Sequence, residues 1–268
     1  MIELPAQGSA YFASDLHLSE DTPHTLHAFE QWMLTVAQKD TFVFLLGDVF
    51  EVWYGDDYTD PITERVALAI RNASQRGCTV FFMHGNRDFL MGSQFAKHAA
   101  FQILPDPTRL RVNGCVVLVT HGDQLCTDDI EYQKFRQQSR TKAWQEHFLG
   151  MPLEQRVALA KAMRKESHMH KTKLALSIMD VSDWAVAQAF ETNNVILHGH
   201  THRSTIHLNF KSQPVPTSLE NQQGCLEHGM RVVLPDWDFE QQHTENNRHK
   251  GGFLKLTADG HFELFAFH

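Results

Sequence analysis

Five apolar runs in this chain stop at residues whose side chains can hold a divalent cation. They lead into Asp15-Leu-His17, Gly47-Asp48, Gly85-Asn86-Arg87-Asp88, His121-Gly-Asp123 and His198-Gly-His-Thr-His-Arg203. Carboxylate oxygens and neutral imidazole nitrogens together suit borderline divalent metals. Asn86 carries no charge, but its carbonyl oxygen can complete a shell already neutralised by carboxylates. Each segment alone has an ordinary alternative. Asp after a strand is often a helix cap, Asn-Arg can be a turn, and histidine-rich loops are expected in a chain with 18 His. Their recurrence at successive strand ends decides the matter, because α/β sheets build sites beyond the carboxyl ends of their strands. The last segment reads as a buried strand entering a tight loop, in which Gly199 aims the rings of His198 and His200 into one pocket.

The elements that must carry these residues follow from hydrophobic period. Ala10–Ser14, Phe42–Leu46, Cys78–Met83, Cys115–Thr120 and Val195–Leu197 read as buried strands ending at one edge of a sheet. Between them, His24–Gln38 puts Leu26, Phe29, Met33, Leu34 and Ala37 on one helical face, and Pro61–Arg76 is a second helix closed by Gly77. The strand–helix–strand alternation implies parallel strands with right-handed crossovers. In the acidic and aromatic loop Val49–Asp57, Asp56 and Asp57 read as solvated surface charges. Phe101–Asn113 reads as short strands around a Pro-containing turn.

From 124 to 194 no strand pattern occurs, which is long for a connection inside one domain. Helical patterns run over Asp128–Trp144, Met151–Met163 and Thr172–Ala189. Residues 125–190 therefore read as a helical cap inserted into a core formed by 1–124 and 191–268. Phe148, Leu149, Met151 and Leu153 form an apolar cluster in it, with Arg156 and Lys161 alongside. Met230–Leu234, Gly252–Thr257 and His261–Phe267 read as closing strands, and Asp238–Lys250 as a polar loop without a role.

Composition narrows the class. A net charge of −8 argues against a general nucleic-acid binder, whose affinity rests on excess Lys and Arg. The four cysteines form no C-x-x-C pair, so neither a zinc knuckle nor a disulfide framework is expected. The N-terminus lacks a signal-peptide pattern, and no apolar run approaches the roughly 20 residues that span a bilayer. The expectation is a soluble, cytoplasmic chain with no obligate protein partner evident.

Taken in order, Asp15-x-His17, Gly47-Asp48, Gly85-Asn86, His121 and His198-Gly199-His200 resemble the signature of the calcineurin-like metallophosphoesterases, over residues 10–203. The resemblance implies an α/β (α+β) fold, a β-sandwich flanked by helices, around two metal ions about 3.5–4 Å apart. It implies one ion held by Asp15, His17, Asp48 and His200 and another by Asp48, Asn86, His121 and His198, with Asp48 shared. A shared carboxylate offsets the repulsion between adjacent dications. Where many members have Gly-Asn-His-Asp, this chain has Gly85-Asn86-Arg87-Asp88. Arginine does not act as an acid at neutral pH, but its planar fork suits phosphate.

With Gly47–Asp57, His121–Asp129, Ile178–Val181 and His198–Arg203, that departure resembles members that cleave the pyrophosphate of a nucleotide-activated diacyl glycolipid. The resemblance then implies two Mn²⁺ ions and Asp48, Arg87 and His198 as catalytic residues. It implies substrate contacts from Asn86, Arg87, Asp129, Ser167, Lys171, Lys173 and His198. It also implies peripheral contact with the cytoplasmic face of the inner membrane, towards which the basic cap residues Arg156, Lys161, Arg164 and Lys165 would turn. Two other readings stand beside it: the same chemistry on another nucleotide or phosphodiester, and a non-catalytic scaffold. Loss of activity on sugar nucleotides without acyl chains separates the first, and activity with added manganese the second.

Overall fold

The computed structural model describes residues 1–4, 8–171, 180–208, 211–212, 222–240 and 250–266, with the main chain alone at 165–171, 211–212, 222–223 and 266. In chain order the first elements are β1 (Ile2–Glu3), β2 (Ser9–Ala13), α1 (Pro23–Val36), β3 (Phe42–Leu46), α2 (Pro61–Gln75), β4 (Thr79–Met83) and α3 (Ser93–Ala99). Then come β5 (Gln102–Leu104), β6 (Thr108–Val112), β7 (Cys115–Val119), α4 (Ile130–Ser139), α5 (Lys142–Leu149), α6 (Leu153–Lys171) and α7 (Asp183–Phe190). The chain closes with β8 (Val195–His198), β9 (Thr205–Leu208), β10 (Lys211–Ser212), β11 (Gln222–Cys225), β12 (Met230–Val233), β13 (Gly252–Thr257) and β14 (His261–Ala266).

The described strands form two seven-stranded sheets, ordered β1-β6-β7-β8-β12-β9-β10 and β11-β14-β13-β2-β3-β4-β5. In the second, β2 to β5 run parallel, with Phe12 opposite Phe44 and Phe44 opposite Phe81. In the first, β7, β8 and β12 are parallel, with Val195 opposite both Val117 and Met230.

Alternation along β3 shows why these strands are apolar throughout. Phe44 and Leu46 point between the sheets, where they meet Phe12, Phe81, Val119, Leu197 and Val232. Val43 and Leu45 point outward, under Leu26, Phe29 and Met33 of α1 and Val66 and Ile70 of α2. On the far side, Ile196 is covered by Ala185 and Val186 of α7 and by Leu125. A strand covered on both faces needs apolar residues at every position, not at alternate ones. The outcome is the expected sandwich flanked by helices.

Several sequence expectations are corrected. The five strand ends do not share one sheet edge: β2, β3 and β4 lie in one sheet, β7 and β8 in the other. Period identifies a strand without saying which sheet it joins. Leu34, expected on the buried face of α1, is 53% exposed, and the buried stripe runs through Leu26, Phe29, Trp32, Met33 and Val36. The single helix expected over Asp128–Trp144 is two, because Thr141 starts a new helix by accepting a hydrogen bond from the Trp144 N–H. Of the helix expected over Thr172–Ala189, residues 172–179 lie outside the described residues, Asp180–Ser182 are not helical, and α7 starts only at Asp183, where the Ser182 side chain caps it.

Candidate metal centre

The site residues leave their strands with unusual backbone. Asp15, His17, Asp48, His200 and His202 all have positive φ, between 49° and 67°. Non-glycine residues seldom adopt this left-handed region, and a cluster of them is typical of functional loops held in place by their surroundings. Here the loops hold one another: Asp15 N–H donates to the Gly47 carbonyl and His17 N–H to the Asp48 carbonyl, each at 3.0 Å. Asp88 completes the brace, its buried carboxylate accepting from the N–H groups of Gly85 and Val49 at 2.8 Å. Burial and the neighbouring Asp48 push the Asp88 carboxyl up to about 6.

Two groups of potential ligands converge, Asp15 with His17 and His202, and Asp15 with Asp48 and His121. The Nε2 atoms of His17 and His202 approach to 3.3 Å, and His202 Nε2 lies 3.4 Å from Asp15 Oδ1. Asp48 faces both groups, with Oδ2 4.0 Å from His17 Nε2 and Oδ1 3.7 Å from His121 Nε2. His121 Nδ1 lies 2.9 Å from the Leu46 carbonyl, which fixes the proton there and leaves Nε2 towards Asp48 and, at 3.1 Å, the Asn86 Oδ1. The His200 ring stands on this second side, 5.0 Å from the His121 ring, and the His200 backbone N–H donates to Asp15 Oδ2 at 2.8 Å.

The electrostatics fit a cation. Asp15 and Asp48 are buried, and Asp15 Oδ1 has no hydrogen-bond partner. Burial alone would raise the Asp15 carboxyl, but His202, His121 and His17 hold it far below the usual carboxylate range. Burial would likewise lower His121, yet Asp48, Asp15 and Asp123 lift it to about 9. His202 is lifted against burial to about 10 by Asp15 and Asp236. A site that stabilises a proton on His121 and His202 also favours a cation in place of those protons. The donor set of carboxylates, imidazoles and one amide oxygen suits Mn²⁺, Fe²⁺, Co²⁺ or Zn²⁺.

His198 does not join this cluster. It ends β8, opposite Val233, and is fully buried. Its Nδ1 lies 2.9 Å from the Gly199 carbonyl and its Nε2 3.1 Å from Arg231 Nη1. Burial and Arg231 push it down to about 3. The histidines that reach the centre are His200 and His202, so the expected pairing of His198 with His200 falls two residues early. Gly199 serves close approach instead: a Cβ there would collide with Ser14 Oγ.

The other expected contacts divide. Arg87 is tied to the centre by its backbone N–H, which donates to Asp48 Oδ1 at 2.8 Å, and its guanidinium lies 3.8 Å from Glu51. Asp129 caps α4, accepting from the Tyr132 N–H at 3.0 Å. The side chains of Ser167 and Lys171 and the whole of Lys173 lie outside the described residues. Of the two acids read as solvated surface charges, Asp57 is exposed as expected, although paired, and Asp56 is not. Asp56 accepts from Trp53 Nε1 and from the N–H groups of Gly92, Gln94 and Phe95, and Asp57 pairs with buried Arg156. Arg164 pairs with Glu51, so two of the four basic cap residues turn towards the core.

Two residues were missed in the sequence. Tyr132 of α4 stacks over His200 at 6.0 Å and donates its hydroxyl to Asp123, bringing the helical segment onto the centre. Glu51 stands 2.9 Å from His17 Nδ1 and is held down to about 2, against burial, by His17, Arg87 and Arg164. An acid three residues past Asp48 was a readable signal for it.

Comparison with known proteins supplies independent findings. The sequence model of the calcineurin-like phosphoesterase family matches residues 9–204. A UDP-2,3-diacylglucosamine hydrolase of Tolumonas auensis is 39% identical over 231 residues, 85% of this chain and 89% of the relative. One from Escherichia coli O7:K1 is 39% identical over 250 residues, 92% of this chain and 95% of its own. One from Aromatoleum aromaticum is 43% identical over 202 residues, 75% and 82% of the two chains.

Proposed function

Since this chain belongs to the calcineurin-like phosphoesterases, we propose that it hydrolyses the pyrophosphate bond of UDP-2,3-diacylglucosamine, giving UMP and 2,3-diacylglucosamine 1-phosphate in lipid A synthesis. The substrate follows the name of relatives aligned along most of both chains. The observation that carries the chemistry is the convergence of Asp15, His17 and His202, and of Asp15, Asp48 and His121, in two adjoining ligand groups that share Asp15.

One cation would be held by Asp15, His17, Asp48 and His202, the other by Asp48, Asn86, His121 and His200, with Asp48 common to both. Manganese is the resident ion of this reading. Such a pair supplies Lewis-acid polarisation of a phosphoryl oxygen and a water that ionises near neutrality. The chain's own part is to orient the substrate. Arg87 offers its fork to the phosphoryl oxygens, in a turn locked to Asp48 through its own N–H.

Residues 125–190 form the cap of this reading, with Ser167, Lys171, Lys173 and Asp129 as substrate contacts. Each acyl methylene moved from water into an apolar cleft contributes about 0.8 kcal/mol, so the chains would dominate affinity. Peripheral contact with the inner membrane belongs to the same proposal. No helix among the described residues is long and apolar enough to cross a membrane. Exposed Ile130, Leu149, Leu159 and Trp184 on the cap helices support surface contact.

The test is to incubate the purified chain with UDP-2,3-diacylglucosamine and Mn²⁺ and to measure UMP, with UDP-glucosamine lacking acyl chains in parallel. The expected result is Mn²⁺-dependent UMP release from the acylated substrate and very little from the other. Equal kcat/KM on the two would return the chain to a general phosphoesterase.

A further inference from the structure

The segment after β12 has no part in the ligand motifs, yet it meets the centre. We propose that Asp236 is a positioning residue for the centre, holding the His202 imidazole through Nδ1 so that Nε2 faces Asp15 and His17. The inference rests on the reading that Asp15, His17 and His202 hold a cation.

The geometry is a relay through one ring. His202 Nδ1 lies 3.3 Å from Asp236 Oδ2, while Nε2 on the other side is 3.4 Å from Asp15 Oδ1 and 3.3 Å from His17 Nε2. Asp236 is 7% exposed, and its Oδ1 is buried without a hydrogen-bond partner. A buried carboxylate is costly unless it serves a fixed partner. Its placement is secured from both sides. Trp237 N–H donates to the Asp15 carbonyl at 3.0 Å, and the Trp237 indole N–H donates to the Gly252 carbonyl at 2.9 Å. Lys250 Nζ donates to Asp236 Oδ2 at 2.7 Å.

His202 needs such a hold. It sits in the left-handed region at φ 55°, and its ring is 39% exposed, so neither backbone preference nor packing fixes it. A carboxylate on Nδ1–H selects the tautomer that leaves a lone pair on Nε2, raises its basicity and removes ring rotation before a metal arrives. Such outer partners of ligating histidines typically matter 10–100-fold in metal affinity.

The experiment is calorimetric titration of Mn²⁺ into the metal-stripped full chain, for wild type, Asp236→Ala, Asp236→Asn, Lys250→Ala and Asp48→Ala. Asp236→Ala should weaken one of two Mn²⁺ sites by about 10–100-fold and leave the other. Asp236→Asn should recover part of the loss, because its amide oxygen still accepts the Nδ1 proton. Lys250→Ala should bind as wild type does. Wild-type affinity at both sites in Asp236→Ala, beside lost binding in Asp48→Ala, overturns the proposal. So does an equal loss in Lys250→Ala, which would assign the effect to anchoring of the segment. A wild-type chain that takes up no Mn²⁺ overturns the metal reading and this proposal with it. Two Mn²⁺ without UMP release would overturn only the substrate.

Discussion

His198, His200 and His202 alternate along the chain, and their backbone alone separates their roles. The strand ladder continues through His198, whose carbonyl accepts from the Leu234 N–H at 2.7 Å, so its ring is committed to the inside of the fold. The loop starts at Gly199, and the next two histidines adopt the left-handed turns that bring them to Asp15. Nothing in an alternating His pattern marks where the ladder stops, which is why the sequence put the ligand pair two residues early. The convergence of Asp15, His17, Asp48, Asn86 and His121 was legible because each follows an unmistakable apolar run. His202→Ala should lose one Mn²⁺ per chain by metal analysis, whereas His198→Ala should keep both. Retention of both ions by His202→Ala would reinstate the sequence reading. Arg87→Ala should also keep both ions yet lose on the order of a hundredfold in kcat/KM, the scale of one transition-state donor. Metal loss in that variant would make Arg87 structural.

At the scale of elements, the parallel strands and their crossover helices were readable because strands covered on both faces carry no polar positions. The connections were not, since their side chains act at a distance in sequence. Asp56 is the example. It follows an aromatic loop, yet it gathers three N–H groups at the start of α3, a helix too short to hold its own end. Asp56→Ala should lower stability by about 2 kcal/mol, the upper range for losing a helix cap, with the Mn²⁺ stoichiometry unchanged. Denaturant unfolding that matches wild type would remove this role. Asp57 acts in the same way across a longer gap. Its hydrogen bond to Arg156 holds its carboxyl below the ordinary value near 4. The pair therefore adds stability above that value and loses it as the pH falls through the lowered one. Proteolysis of the helical segment should quicken in acid for wild type, and Asp57→Asn should be cleaved faster than wild type at neutral pH. Identical pH profiles for the two would break the link between this pair and the docking of α6.

For the whole molecule, the sequence yielded the sandwich only through resemblance, because no local pattern tells β7 and β8 from β2 to β4. Their separation has an energetic consequence for metal removal. Buried Asp15 and Asp48 carry charges that a cation would offset, and a ligand that binds only the folded chain stabilises it by about 2.7 kcal/mol at a hundred times its Kd. Stripping with EDTA should lower Tm by several degrees, and Mn²⁺ should restore it. An unchanged Tm would mean that the acids are neutralised by the chain alone.

The division of the centre between the sheets also gives the ions a mechanical office. Asp15, Asp48 and Asn86 follow strands of one sheet, while His121, His200 and His202 follow strands of the other. Ions gripped by these six and by His17 would rivet the two halves together, closing loops as long as that from Asp15 to His202 in the manner of a cross-link. A nascent chain would present the first four of these residues, Asp15, His17, Asp48 and Asn86, well before His200 and His202 emerge. It would not hold both ions until β8 has docked beside β7, so that a molecule carrying the full pair would be one whose assembly is finished.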